Sequence, residues 1–256
     1  MNWAAMDWAI LGPALVAGLL VLATHVPLGM QVLDRGIVFI DLAIAQIAGL
    51  GVIAAQALGL PQGGVAVQGA AVGAAMLGAL LLTWTERRAP KEQEALIGTL
   101  FILAACAGIL VLAGNPHGGE NLKDLLVGQV LWVNTTQLLW LAGVSAVLVA
   151  ALALGWVGRL GRFGFYATFA IAVTASVQLV GVYLVFASLI MPALAVRGRA
   201  GPRRYALAYG LGAAGYATGL ALSALFDLPS GAVIVWALAV CAIAVRTWKW
   251  RGLTSS

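Results

Sequence analysis

Residues 64–113 read GVAVQGAAVGAAMLGALLLTWTERRAPKEQEALIGTLFILAACAGILVLA: two apolar runs, 64–84 and 94–113, joined by a short polar turn that holds Arg87, Arg88 and Lys91. Each run has the roughly 20 residues that a helix needs to cross the hydrocarbon core of a bilayer. The turn between them is basic. Carrying Lys or Arg across a membrane is costly, so such turns stay on the cytoplasmic side.

The same unit recurs outward in both directions. Thirteen of the fourteen Lys and Arg residues fall in five clusters: Arg35; Arg87, Arg88 and Lys91; Arg159 and Arg162; Arg197, Arg199, Arg203 and Arg204; and Arg246, Lys249 and Arg251. Each interval can hold two crossings, and only Lys123 breaks the pattern. Nine crossings fit, near 8–32, 37–59, 64–84, 94–113, 134–156, 165–180, 182–197, 204–226 and 231–247. The expected fold is therefore an all-α, polytopic transmembrane helix bundle, one domain over residues 1–256, with its N-terminus outside and its C-terminus inside. Crossings six and seven share the 34 residues between Arg162 and Arg197. Each is expected to be short, with a turn near Gln178 and Gly181, and a re-entrant segment is one way to fit them.

Composition leads to the same place. A chain that is 62% hydrophobic and 9% charged, with mean hydropathy +1.01, has more apolar surface than a soluble domain of 256 residues can hide. The net charge of +5 does not point to nucleic acid, because the basic residues sit at span ends and form no long patch. Asp7 and no basic residue precede the first apolar run, so that span is expected to be retained rather than removed as a signal peptide. Trp3, Trp8, Trp84, Trp132, Trp140, Trp156, Trp248 and Trp250 fall at or near span ends as an interfacial belt, whereas Trp236 is expected to pack between helices. Cys106 and Cys241 are expected to be small buried hydrophobes. Small residues at Gly69 and Gly73, and at Gly215 and Gly219, permit close helix approach, within one chain or at a dimer seam.

Polar groups within spans are costly and so are candidates for function. Asp41 lies in Phe39-Ile40-Asp41-Leu42-Ala43-Ile44-Ala45-Gln46, one to two turns from Arg35. It is either a hydrated or Arg35-paired carboxylate near the headgroups, or an acid lining a pathway. Glu94 opens the fourth run, where a carboxylate also suits the positive end of a helix. Gln46, Gln56, Gln68, Gln129 and Gln178 either line a wet cavity or link helices. His25 reads as a packed or hydrogen-bonded residue, and His117 lies in a loop; neither has the neighbours of a three- or four-ligand metal site. The sequence holds no H-E-x-x-H, no G-x-S-x-G and no G-x-x-x-x-G-K-[ST], so hydrolysis of ATP by a phosphate loop is not expected of this chain. No nucleophile, ligand set or acid and base pair converges, which sets a membrane enzyme last among the readings.

Five segments, in order, resemble the permease family of ATP-binding-cassette importers for zinc and manganese. They are Pro27-Leu28-Gly29 with Arg35 and Asp41; Glu94-Ala95-Leu96-Ile97-Gly98; Leu126-Val127-Gly128-Gln129-Val130-Leu131; Val180-Gly181 followed by Leu189-Ile190-Met191-Pro192-Ala193; and Phe226-Asp227-Leu228-Pro229-Ser230-Gly231. The resemblance implies a helical permease of the inner (cytoplasmic) membrane, paired as a homodimer around a central path. It also implies a separate ATPase subunit that hydrolyses ATP, an extracytoplasmic solute-binding protein that delivers a metal ion, and no cofactor bound by this chain. On the matching position it implies Asp41 as the metal-attracting acid of the path; Gln46, Glu94, Gln129 and Gln178, polar groups in or beside spans, are the further path candidates. Pro27, Gly181 and Pro192 would shape or gate the path, and Trp156, Arg159 and Arg162 would dock on the ATPase, or else the surface from Arg197 to Arg204. Three features depart from the family pattern. Its His four residues after the acid is Ala45 here, its second acid is Gln129, and the segment Gly155 to Gly164 looks shorter than the usual coupling loop. These departures keep open a secondary transporter without an ATPase, or a permease for a non-metal solute.

Overall fold

The computed structural model describes residues 7–61, 64–112, 126 and 128–253, with side chains as far as Thr247. Trp3, the loop with His117, Lys123 and Val127 lie outside the described residues, as do the side chains of Trp248, Lys249, Trp250 and Arg251. The described residues fold into α-helices: α1 (Trp8–Arg35), α2 (Ile40–Ala57), α3 (Val65–Arg88), α4 (Gln93–Leu112), α5 (Thr135–Ala153), α6 (Trp156–Arg159), α7 (Gly161–Val180), α8 (Val182–Ala195), α9 (Arg203–Phe226) and α10 (Ser230–Leu253). All but the one-turn α6 coincide with the nine apolar runs read from sequence. Among the described residues seven stretches are long and apolar enough to cross a membrane, those of α1 to α5, α7 and α10, while α8 is a shorter apolar helix.

The junction of α7 and α8 corrects one expectation. Only α8, of 14 residues, is short; α7 has 20 and is of spanning length. Its first turn takes in Arg162, whose Nε lies 3.5 Å from Glu86 Oε1. The break itself falls at Gly181, at φ 80° and ψ 160°, a conformation open essentially to glycine alone.

The chain divides into two compact units. One comprises residues 1–35, 127–146 and 179–256, the other 36–126 and 147–178.

In the first unit, glycines carry the helix contacts, as they must where lipid is no worse a solvent for Leu than the protein is. A Cβ on Gly18 of α1 would fall 2.2 Å from Tyr216 Cδ1 of α9, and one on Gly212 of α9 would fall 2.6 Å from Leu22 Cδ2 of α1. Gly215 and Gly219 lie against Leu238 and Ile234 of α10. That small-residue face is therefore filled within the chain, whereas a Cβ on Gly69 or Gly73 would meet nothing within 4 Å. Tyr216 Oη lies 2.9 Å from Ser188 Oγ of α8, and Ser188 Oγ donates to Leu184 O at 2.7 Å. The Ser proton being used there, Tyr216 is the donor of the pair. Tyr216→Phe leaves Ser188 still bonded, so a thermal melt is expected to show a loss of only about 1 kcal/mol, the net value of one hydrogen bond. The α9 helix ends in left-handed Asp227, and Ser223 Oγ donates to Leu228 O at 2.6 Å before Pro229 bars continuation.

Basic clusters gather at one end of each unit. In the first, Arg246 Nη1 donates to Leu194 O at 3.1 Å and Arg197 O at 3.3 Å. In the second, Arg87, Arg88 and Lys91 at the α3–α4 turn share an end with Arg162 through the Glu86 contact.

Large apolar side chains line the outer faces, among them Leu77 of α3, Leu103 and Leu110 of α4, Leu139 of α5 and Val240 of α10. Trp8, Trp84, Trp132, Trp140 and Trp156 are exposed, as an interfacial belt requires. Trp236 is a correction, being 74% exposed rather than packed between helices. Ile234 and Leu238 face inward on α10, and a residue midway between them points to the other side. Cys106 is likewise exposed and Cys241 half-buried. In lipid an apolar thiol gains little from being inside.

Candidate functional site

Asp41 stands in the first turn of α2 with no exposed surface, and neither carboxylate oxygen has a hydrogen-bond partner among the described residues. A buried polar group without a partner costs on the order of 1–3 kcal/mol by mutational measures. Folding alone gives no reason to keep it. Burial with both oxygens unmatched makes Asp41 the leading candidate of the site. Ala45, where a second ligand would share the acid's helix face, is fully buried and brings no donor. Gln46 is buried too, five residues on and about 140° further round the helix.

Glu94 comes to the start of the same helix. Its Oε1 accepts the backbone N–H of Phe39 at 3.2 Å, so one carboxylate opens α4 and ties down the entry to α2, two residues before Asp41. Its Oε2 is buried with no hydrogen-bond partner among the described residues. One oxygen of Glu94 thus ties α4 to the start of α2 while the other is left unmatched.

Gln178 is not in this group. It lies twelve residues beyond Tyr166 on α7, about 18 Å along the axis, and its Oε1 accepts from Gln68 Nε2 of α3 at 2.7 Å. Its own Nε2 has no hydrogen-bond partner among the described residues. Gln129 belongs to the first unit, where it is exposed beside a shallow hollow of about 330 Å³ lined by Gly128, Trp132, Leu228 and Pro229.

That hollow collects segments far apart in sequence. Gly128 has φ 71°, and a Cβ there would fall 2.2 Å from Val180 C and 2.3 Å from Gly181 N. Gln129 N–H donates to Leu179 O at 3.2 Å. At the middle of the same unit, a Cβ on Gly29 would fall 2.0 Å from Leu189 O, so α1 and α8 cross backbone to backbone between Pro27 and Pro192. Segments singled out from opposite ends of the sequence are therefore the two sides of single contacts.

The connection from α5 to α7 is not a bare loop. Trp156–Arg159 forms a one-turn helix anchored by buried Val157, whose carbonyl oxygen would lie 2.5 Å from a Cβ on Gly164. Trp156 and Leu160 are exposed by 56% and 66%, with Arg159 exposed between them. Arg162 is partly engaged with Glu86. Gln93, Thr85 and Tyr166, buried polar residues at the same end, were not singled out from sequence; the signal was available, since each places a hydrogen-bonding group beside or within an apolar run. His25 is fully buried, its Nδ1 2.9 Å from Val21 O and its Nε2 without a hydrogen-bond partner among the described residues. Among the described residues no three His, Cys, Asp or Glu side chains gather as a metal site.

Residues 7–158 and 157–248 match the model of the ABC 3 transport family. The chain belongs to that family. It is accordingly a membrane transporter subunit, as the five ordered segments had implied. It is 28% identical to an uncharacterized membrane protein of Synechocystis sp. over 252 residues, covering 90% of this chain and 88% of that one. It is 26% identical to the manganese transport system membrane protein MntC of Halalkalibacterium halodurans over 254 residues, 90% of this chain and 84% of that one. Among solved structures, PsaBC from Streptococcus pneumoniae in complex with Fab matches with a TM-score of 0.73 at 22% identity, over 91% of this chain and 90% of that one, and this likeness supports the fold.

Proposed function

We propose that this chain is the membrane permease of a metal-ion importer, with manganese or zinc as its substrate and Asp41 as the acid of the path. The observation that carries the reading is Asp41 itself, a buried carboxylate with both oxygens unmatched in a chain of a transport family. A hard divalent ion takes oxygen donors and keeps water, so a lone carboxylate with no His or Cys gathered beside it among the described residues suits manganese better than zinc. In this reading the chain crosses the inner membrane nine times with its N-terminus outside and works as a homodimer. An extracytoplasmic binding protein supplies the ion, and Trp156 and Arg159 meet a separate ATPase that hydrolyses the ATP. Co-purification with the cognate ATPase tests it. ATP turnover is expected to depend on this chain and to rise with manganese or zinc delivered by the binding protein; turnover indifferent to the chain sinks the reading.

Ala45 and Gln129, neutral where the family pattern has His and Asp, favour a second reading, a gradient-driven transporter or a permease for a non-metal solute. Uptake abolished by collapsing the proton gradient at constant ATP would select it.

A further inference from the structure

Between the exposed α6 turn and the start of α2 lies a buried polar knot that neither the acid nor the docking turn accounts for. Gln93 is 3% exposed at the start of α4. Its Nε2 donates to Tyr166 Oη of α7 at 3.0 Å and to Leu82 O of α3 at 3.1 Å. Its Oε1 accepts from Thr85 Oγ1 at 3.0 Å. Both amide protons and the amide oxygen are in use, so one side chain joins three helices. Tyr166 has no exposed surface and is braced edge-on by Phe165, ring centroids 5.4 Å apart.

The knot is continuous with both ends of the coupling problem. On one side Tyr166 stands one turn beyond Arg162, and Arg162 reaches Glu86, the chain neighbour of Thr85. On the other side the chain neighbour of Gln93 is Glu94, which holds the Phe39 N–H at the start of the helix that carries Asp41. A buried network joined by an amide with all of its bonds made is stiff, and stiff elements pass displacement on where loose packing absorbs it.

We infer that Gln93, with Tyr166 and Thr85, is a positioning residue that ties movement of the Trp156–Arg162 segment to the placement of Asp41, and so sets how much solute moves per ATP. The inference rests on the proposed function and adds a role for three residues outside both path and docking surface. Its test is the ratio of manganese(II) taken up to ATP hydrolysed, measured in the same proteoliposomes holding the complete complex. Tyr166→Phe keeps the ring and removes one bond of the knot; Gln93→Met keeps length and removes three. Complex yield and basal ATP turnover are expected to hold in both. Manganese moved per ATP should fall about fivefold or more, the lower reach of a coupling between sites, with Gln93→Met the worse. A ratio equal to that of the unaltered chain, or uptake and turnover falling together with the amount of folded complex, overturns the inference and leaves the knot a structural tie. An unaltered complex whose ATP turnover ignores this chain overturns the proposed function and this inference together, so the two failures are told apart by the unaltered arm.

Discussion

Asp41→Ala is expected to reduce manganese or zinc uptake to background while the chain still folds and inserts, and to melt no lower than the unaltered protein. The two halves of that result have one cause. The carboxylate is fully buried and both oxygens lack a hydrogen-bond partner among the described residues, so its removal ends a desolvation cost on the order of 1–3 kcal/mol. Set against it is the cavity left by the three heavy atoms of the lost carboxyl group, about 1–2 kcal/mol. The balance is neutral to stabilising, the pattern of a group held for use at the expense of stability. Asp41→Asn keeps the shape and removes the charge, and is expected to lose uptake with little change in melting. Paired measurements of uptake in vesicles and thermal unfolding in detergent decide the matter. Normal uptake by either variant removes Asp41 from the path, and uptake lost together with a clear drop in melting temperature makes it a structural residue instead.

Most of the architecture was open to reading because lipid simplifies the code. A span must be apolar throughout and hydrogen-bonded within itself, so length and charge spacing alone put nine helices close to their observed places. The one misjudged element, α7, shows where that code fails. Arg162 was taken to end a polar turn, yet a charge with a partner can sit inside the first turn of a helix, and the partner, Glu86, lies on another helix. Trp236 failed for a related reason. Whether an apolar residue faces lipid or protein is invisible to hydropathy, since both are apolar, and only the inward Ile234 and Leu238 fix the phase of α10. The site divides in the same way. Asp41 was legible because a charge in a span is conspicuous. The bond from the Phe39 N–H to Glu94 and the partners of Gln93 were not, because they depend on which helix ends meet, and no spacing along one chain encodes that.

Gly29→Ala is expected to be the most damaging small substitution in the first unit, costing about 3 kcal/mol or more, the upper range for overpacking. Adding a methyl group is ordinarily mild, and in an open helical site it even helps by about 1 kcal/mol. Here the new Cβ would sit 2.0 Å from Leu189 O and 2.9 Å from Leu189 C, both main-chain atoms, so no side-chain rotation can relieve it. The helices themselves would have to part. Their crossing lies between Pro27 of α1 and Pro192 of α8, each of which lacks an N–H and leaves the carbonyl four residues earlier without its usual donor. Helices loosened at those two points have few other bonds with which to hold the contact, and Tyr216, packed on Gly18 of α1 and bonded to Ser188 of α8, would be displaced with them. Gly210→Ala is the matched control, since its Cβ would meet nothing within 4 Å. Fluorescence-detected size exclusion after a heating series is expected to show the Gly29 variant aggregating well below the unaltered chain and the Gly210 variant at or above it. Equal melting of the two alanine variants would mean that α1 and α8 do not meet at Gly29, and that Pro27 and Pro192 bend two helices that move independently.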